Sequence, residues 1–363
     1  MRVVIAPDSL KGTIGAREAA AALADGWRRE RPGDDLACVP LADGGEGTLQ
    51  VLAAADPAAR WHRARVTGPD GRQVASRWLE FPDGTGYVEL AQASGLPMMA
   101  ALDPLGAQTT GTGELVAHAL DAGVRRVAIT LGGSAATDGG TGALAALGAR
   151  FRDGAGRDLP PGGGALRDLA AADLSGLRAA PPGGVACLTD VRAPLLGPRG
   201  AAAVFGPQKG ADAAQIGILE AGLARLARVL DGDPEAPGTG AAGGTGYGFA
   251  AAWGARVVPG AAELCRVVGF DRQLRQAGLV LTGEGRYDVT SGDGKITGAV
   301  LAAAAAAGVR AVLIAGSVAA DPPPGVAAVA LDRLAGSAAA AMADPAAWLR
   351  AAGQRLARDA EGK

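Results

Sequence analysis

The chain has 363 residues, 48% hydrophobic and only 4% aromatic, so two domains with cores of Ala, Val and Leu are expected. Its formal net charge is −2 without a long run of one sign, which argues against a nucleic-acid partner. No apolar segment is long enough to cross a membrane, and the first one ends at Pro7, too early for a signal peptide, so we expect a cytoplasmic protein.

The first 60 residues predict strands that alternate with helices. An apolar run over 2–6 predicts a strand, and a polar loop follows it over 8–13. A helical pattern over about 16–30 ends before a Pro–Gly pair. A second strand over 36–41 opens into the loop ADGGEGT at 42–48. This order is typical of the start of a parallel α/β sheet.

The middle of the chain begins differently. Residues 61–90 contain short β-like pieces between turn signals, which predicts hairpins. A helix over about 113–122 and a strand over 127–131 lead into the loop GGSAATDGG at 132–140. Residues 151–182 and 232–248 are rich in Gly and Pro, which predicts loops.

The remaining elements return to the α/β pattern. Large aliphatic residues at steps of three and four over 211–230 predict one buried face of a helix. A strand over 185–188 ends at Thr189 and Asp190. A strand over 279–281 precedes the loop TGEGRYDVTSGDGK, and a helix over 294–307 and a strand over 311–315 follow.

Polar clusters follow five of these predicted strands. The clusters are residues 8–11, 43–48, 132–140, 189–190 and 282–288. In open α/β sheets, ligands bind outside the carboxyl ends of the strands. The pattern therefore predicts an enzyme that binds a small ligand at these ends.

The loop ADGGEGT combines acidic side chains with glycines. Asp43 and Glu46 flank Gly44 and Gly45, where the backbone can approach an anion or a hydrated Mg²⁺ closely. The alternative is a helix cap in which Asp43 accepts from free N–H groups. In the same way, Ser134 and Asp138 of GGSAATDGG predict an anion-binding turn, with a simple tight turn as the alternative.

The loop at 282–295 carries two carboxylates and two cations that suit a Mg²⁺–nucleotide site. Glu284 and Asp288 are candidate Mg²⁺ ligands, and Arg286 and Lys295 are candidate partners of phosphoryl oxygens. The alternative is a set of surface ion pairs. Lys209 is either a further anion partner or a solvated surface residue.

Several generic motifs are absent from the sequence. The stretch GTGAAG at 238–243 matches G-x-G-x-x-G but follows no predicted strand, and no P-loop or protein-kinase signature occurs. The two histidines have no metal-ligand spacing. An odd number of cysteines without a CxxC pair predicts three buried free thiols.

Eight segments, in order, resemble motifs of the bacterial glycerate kinases that phosphorylate D-glycerate. The segments are APDSLKGT, PLADGGEGT, VELAQASGL, TTGTGEL, GGSAATDGG, AVFGPQKGAD, GAAGGTGYG and TGEGRYD. The chain departs from that family at Ala136–Thr137, Thr189, Ala193 and Thr290, where Thr-Asn, Cys, Asn and Gln are usual. The charged residues of the motifs are intact.

The resemblance implies a fold of two dissimilar α/β domains with the active site in the cleft between them. One domain is expected to be Rossmann-like with a mostly parallel sheet and to combine 1–60 with 270–363. The second is expected to cover 61–269. The implied reaction is ATP-dependent phosphorylation of the glycerate 2-hydroxyl, with Mg²⁺ as the cofactor. Alternatives are a 3-kinase, a kinase of another hydroxy acid, an NAD-dependent oxidoreductase and a non-catalytic glycerate sensor; a homo-oligomer is also left open.

Within that reaction, Asp190 is the predicted acceptor of the hydroxyl proton, and Lys11 and Lys295 are the other catalytic candidates. The predicted substrate and phosphate ligands are Asp8, Ser9, Asp43, Gly44, Gly45, Glu46, Ser134, Asp138, Lys209 and Arg286. The predicted metal ligands are Glu284 and Asp288, with Asp43 and Glu46 as further carboxylates on the Mg²⁺ side.

Overall fold

A computed structural model describes residues 1–289, 291 and 295–360. The backbone divides into two compact units. The first unit contains Met1–Asp43, Gln50–Pro57 and the chain from Ala261 onward, and the second contains Gly44–Leu49 and Ala58–Gly260. Relative to the predicted boundaries, Gly44–Leu49 and residues 58–60 belong to the second unit, and residues 261–269 belong to the first.

The elements are numbered in chain order. The strands are β1 Arg2–Pro7, β2 Asp35–Cys38, β3 Arg60–Thr67, β4 Gln73–Glu80, β5 Thr85–Glu89, β6 Arg126–Thr130, β7 Arg150–Asp153, β8 Leu169–Asp173, β9 Val185–Leu188, β10 Arg256–Val258, β11 Leu279–Tyr287, β12 Arg310–Val318 and β13 Ala327–Ala330. The helices are α1 Ala16–Glu30, α2 Thr48–Ala55, α3 Ala91–Ser94, α4 Thr110–Asp121, α5 Thr141–Ala146, α6 Ala201–Phe205, α7 Ala213–Val229, α8 Ala241–Trp253, α9 Gly260–Val267, α10 Phe270–Leu274, α11 Ile296–Ala306, α12 Leu331–Ala335, α13 Ala338–Ala343 and α14 Pro345–Asp359.

The first unit contains a parallel sheet with the strand order β13-β12-β11-β1-β2. Alternate residues of β1 point to opposite faces, as the two-residue period of a strand requires. Val3 and Ile5 join the core that contains α1 and α14, and Val4 and Ala6 join the core that contains α11. The sheet is therefore covered by helices on both faces, which explains why its strands are almost continuously apolar.

The connections of this sheet reverse direction between β1 and β11. From β1 the chain passes through α1 to β2 at one edge, whereas from β11 it passes through α11 to β12 on the other side. Strands β1 and β11 are direct neighbours. A reversal of this kind leaves a crevice at the carboxyl ends of the two strands, where ligands of open α/β sheets bind.

The second unit contains a mixed sheet with the order β10-β9-β6-β5-β4-β3. Strands β5, β6, β9 and β10 run parallel, and β3, β4 and β5 pair as antiparallel hairpins. The predicted mixed α/β fold and the hairpins at 61–90 are thus confirmed. Helix α7 buries Leu219, Leu223 and Leu226, as its periodicity predicted.

Three local predictions are incomplete or wrong. Residues 151–182 were expected to be rich in loops, and the antiparallel pair β7–β8 within them was not predicted. The Gly-rich run at 232–248 was expected to be a loop throughout, but α8 begins at Ala241, and after a left-handed kink at Ala242–Gly244 its regular turns cover the end of the run. The third concerns the cysteines: all three are free, but Cys38 is exposed at the end of the edge strand β2.

The position of α8 has a packing explanation. A Cβ atom at Gly248 would lie 2.1 Å from the carbonyl oxygen of Gly139, so only glycine allows this close approach. Glycine lowers intrinsic helix propensity, but tertiary packing outweighs that preference here.

Two element boundaries also differ from the predictions. Strand β11 continues to Tyr287, so most of TGEGRYD lies within the strand and not behind it. Helix α11 begins at Ile296; the predicted start at Gly294, and Thr290, lie outside the described residues. Among the residues that the structure describes, no helix has both the length and the apolar character that a bilayer span requires.

Candidate active site

The first unit contains a cavity of about 410 Å³ at the carboxyl ends of β1, β11 and β12. Its lining brings together predicted residues from three separate motifs. These residues are Asp8, Ser9, Lys11, Asp43, Glu284, Arg286, Asp288 and Lys295. The cavity therefore lies at the reversal point between β1 and β11, where the sheet topology favours a ligand.

Asp8 is the buried carboxylate at the end of β1. Its Oδ1 accepts a hydrogen bond of 2.6 Å from the backbone N–H of Ser9. Lys11 Nζ donates to Asp43 Oδ2 at 3.2 Å on the more exposed side of the cavity. Burial, together with the negative charge of Asp43, raises the pKa of Asp8 to about 7.

Replacing Asp8 with Asn should stabilise the protein at pH 8. The pKa of Asp8 rises from 3.8 to about 7 on folding, so the stability gained from its protonation is present at low pH and lost as pH rises through 7. An amide has no charge to desolvate. In thermal denaturation without Mg²⁺, Asp8→Asn should melt several degrees above wild type at pH 8, with the difference vanishing near pH 4. A constant difference across this pH range would contradict the buried charge.

Glu284 is the most deeply buried acid of the TGEGRYD segment. Within the described residues, its Oε1 has no hydrogen-bond partner. Burial raises the pKa of Glu284, whereas the Ser291 hydroxyl and the charge of Lys295 act in the opposite direction. A buried carboxylate oxygen without a protein donor fits a cation ligand better than a structural ion pair.

The other charged residues of this segment are closer to the surface. Arg286 Nε lies 3.7 Å from Asp288 Oδ2, and the Arg286 side chain is 70% exposed. The surface ion-pair alternative therefore describes this pair, but it is wrong for Glu284, which is 7% exposed. Lys295 is the N-cap residue of α11 and lines the cavity.

No preformed metal cluster is present in the described part of the chain: no three His, Cys, Asp or Glu side chains come close enough together to hold an ion. Mg²⁺ keeps several waters and often takes only one or two carboxylates beside substrate phosphates. Glu284 and Asp288, the predicted pair, both line the cavity. The donor set thus fits a Mg²⁺ ion that arrives with a phosphate-bearing substrate.

In the second unit, the GGEGT loop lies at the carboxyl edge of the mixed sheet. Gly132 N, just beyond β6, donates to Gly44 O at 3.1 Å. A Cβ atom at Gly132 would lie 2.4 Å from the Gly45 Cα, so two glycine backbones meet directly. Glu46 is exposed, and its carboxylate lies beside Gly133. The Glu46 Oε1 atom is 3.6 Å from the position that a Cβ atom at Gly133 would occupy.

Glu89, at the end of β5, fixes this loop, and sequence reasoning missed it. Its Oε1 accepts from Gly47 N at 3.2 Å and its Oε2 from Leu49 N at 3.1 Å. Gln92 Nε2 adds a third bond at 3.1 Å. Glu89 thus accepts from two backbone N–H groups at the start of α2, a role that the sequence did not assign to it. Its charge in the apolar segment VELA was a signal that could have identified it.

Glu89→Gln should destabilise the second unit by about 1–3 kcal/mol, because one amide oxygen replaces two acceptors and an NH₂ group then faces a backbone donor. Thermal or urea denaturation measures this loss. The exposed Glu235→Gln is the matched control and should change stability little. Equal stability of the two variants would mean that Glu89 does not hold the loop.

The GGSAATDGG loop is held internally. Asp138 Oδ2 accepts from Thr109 N at 2.9 Å and Thr109 Oγ1 at 2.8 Å, and Asp138 Oδ1 accepts from Gly140 N at 3.0 Å. Ser134 Oγ accepts from Ala136 N at 3.2 Å. These bonds support the tight-turn alternative for Asp138 and Ser134. Their proposed role in binding an anion stays a prediction.

Lys209 is buried, so the alternative of a solvated surface side chain is wrong. Its Nζ donates to Ala136 O and to Thr137 Oγ1, the latter at 3.3 Å. Complete burial lowers the pKa of Lys209 to about 8, against the opposing effect of the Asp138 charge. The Lys209 side chain therefore holds the GGSAATDGG loop through these two hydrogen bonds.

Asp190 follows β9 at the carboxyl edge of the second sheet and is half-buried. The preceding Thr189 N donates to Val258 O at 3.1 Å, and its Oγ1 accepts from Val191 N at 3.2 Å. These bonds fix the backbone on both sides of Asp190. Asp190 thus lies at the carboxyl end of a strand, where ligands of open α/β sheets bind, and its role as proton acceptor stays a prediction.

Comparison with known proteins gives consistent matches along the chain. Residues 3–361 match the model of the glycerate kinase family. A glycerate kinase of Bacillus subtilis (strain 168) is 42% identical, covering 88% of this chain and 86% of the relative. A glycerate 2-kinase of Escherichia coli (strain K12) is 41% identical over 82% and 80% of the two chains. A crystal structure described as glycerate kinase 2 from Salmonella typhimurium LT2 superposes with a TM-score of 0.84 at 37% identity, covering 99% and 98%.

Proposed function

Because the chain belongs to the glycerate kinase family, we propose that it transfers the γ-phosphoryl group of ATP to the 2-hydroxyl of D-glycerate, giving 2-phosphoglycerate and ADP. The observation that carries this proposal is the cavity at the β1–β11 reversal, where acidic and basic side chains of three motifs meet. Such a set suits a metal-bound polyphosphate better than a neutral ligand.

In the proposed reaction, the hydroxyl oxygen attacks the γ-phosphorus and the bond to the β-phosphate oxygen breaks. The proton of the hydroxyl passes to the Asp190 carboxylate, and ADP leaves with the electron pair of the broken bond. Lys11 and Lys295 neutralise phosphate oxygens, and the planar guanidinium of Arg286 suits a carboxylate or phosphate.

Glu284 and Asp288 would hold Mg²⁺, which supplies positive charge to the phosphoryl oxygens when bound. Glu46 and Gly44–Gly45 are assigned to substrate contacts in the second unit, where Glu89 fixes their loop. Ser134, Asp138 and Lys209 shape the neighbouring loop through the bonds described above.

Phosphorus NMR of the product formed from D-glycerate and Mg–ATP tests the proposal. A phosphate on the 2-hydroxyl couples to one carbon-bound proton and gives a doublet, whereas a phosphate on the 3-hydroxyl gives a triplet. A doublet together with stoichiometric ADP is the expected result. A triplet would show a 3-kinase. Binding of glycerate without ADP release would identify a non-catalytic sensor, and stabilisation by NADH instead of Mg–ATP an oxidoreductase.

A further inference from the structure

The cavity of the first unit has two unlike walls. One wall consists of the charged residues at the ends of β1 and β11. A second group of lining residues, called here the apolar wall, has apolar side chains only, and they come from α12, α13 and the first residue of α14: Leu331, Ala338, Ala341, Met342 and Pro345. A ligand that fills this cavity must therefore have a charged end and an apolar end.

The apolar wall combines buried side chains with one exposed, flexible side chain. Leu331 and Ala341 are buried in the core of the unit, at 1% and 6% exposure. Met342, in contrast, is 63% exposed, which is unusual for a large apolar side chain. A thioether side chain is flexible and polarisable and packs well against the edge or face of an aromatic ring.

The N-cap residues of two helices that form this wall lie outside the cavity lining. Ser337 Oγ accepts from Ala340 N at 3.1 Å and caps α13. Asp344 Oδ1 accepts from Ala347 N at 3.0 Å and caps α14. Because neither cap residue lines the cavity, substitutions on the wall leave the helix caps intact.

Only one of the two proposed substrates has a part that suits this wall. Every carbon of glycerate carries oxygen, so glycerate has no apolar surface to cover Met342. ATP combines a flat aromatic base with an anionic triphosphate. A cavity of about 410 Å³ also lies within the usual range of sites for nucleotide-sized ligands, about 300–1,000 Å³.

The geometry points to a nucleobase subsite on the wall formed by α12–α14, with the triphosphate directed to the charged wall. This inference rests on the proposed use of ATP. It assigns the cavity of the first unit to the nucleotide, so Lys11 and Lys295 act on its phosphates. The base is held by apolar packing from the side chains of this wall.

The test compares two ligands that differ in the base. We would measure the dissociation constants of Mg–ATP and of Mg–tripolyphosphate for wild type and for the double variant Ala338→Gln/Met342→Gln. Glutamine is neutral and a good helix former, so charge and helix α13 are retained. Ala339→Gln/Ala343→Gln is the matched control, because both alanines are exposed on α13 and neither lines the cavity.

The expected result is about a tenfold weaker binding of Mg–ATP by the Ala338/Met342 variant, with tripolyphosphate unchanged and the KM of glycerate within about twofold. The control variant should bind both ligands as wild type does. Unchanged ATP affinity, or an equal loss for ATP and tripolyphosphate, would overturn the base subsite. A rise in the KM of glycerate with normal ATP binding would assign the wall to glycerate.

The two ligands also separate this inference from the proposed function. If wild type binds Mg–ATP but does not phosphorylate glycerate, the proposed reaction fails, and the affinity comparison still tests the wall. If wild type is an active kinase and the wall variant keeps its ATP affinity, only the inference about the base fails.

Discussion

Asp190→Asn is expected to lower kcat by ~10²–10⁴ and to leave the KM of ATP nearly unchanged, because the amide cannot accept the hydroxyl proton. The substitution is nearly isosteric, and Asp190 is only half-buried, so the melting temperature should shift little. Steady-state kinetics with D-glycerate and Mg–ATP, coupled to ADP release, measures the effect.

The exposed Asp168→Asn in the same unit is the matched control and should keep the wild-type kcat. Normal turnover in Asp190→Asn would remove Asp190 from the role of proton acceptor.

Glu284→Gln is expected to lower kcat by about 10²-fold and to raise the Mg²⁺ concentration for half-maximal activity by at least about tenfold. The reason is that Glu284 Oε1 lacks a partner among the described residues and lines the cavity, which suits the Mg²⁺ ligand proposed above. Titration of activity with Mg²⁺ at fixed ATP measures the shift.

Stability distinguishes this functional loss from misfolding. Burial raises the pKa of Glu284, so the folded state disfavours its ionised form, and a neutral Gln should be tolerated at pH 8. The variant should therefore melt at or above the wild-type temperature in the absence of Mg²⁺. Glu263→Gln, a surface acid in an ion pair with Arg266, is the control and should retain the wild-type Mg²⁺ dependence. An unaltered Mg²⁺ requirement in Glu284→Gln would contradict the assignment.

Much of the site was predictable because its signals are local. Asp8, Asp43 and Asp190 each follow a short apolar run, and the carboxyl ends of parallel strands in one sheet lie on one edge. The sequence could thus name most of the charged cavity residues. The sequence could not show that Asp138 accepts hydrogen bonds from Thr109, 29 positions away. For that reason the carboxylate was predicted to be available to a ligand.

Local pattern by itself determined the alternation of strands and helices, the hairpins at 61–90 and the polar clusters at strand ends, since side-chain periodicity and turn residues act over a few positions. Tertiary structure alone decided that Glu89 holds the GGEGT loop, that Lys209 is buried, and that apolar residues of α12–α14 line the same cavity as the charged strand ends. These features depend on contacts between residues tens of positions apart. The burial of a side chain and the shift of its pKa depend on such contacts, and no short stretch of sequence encodes them.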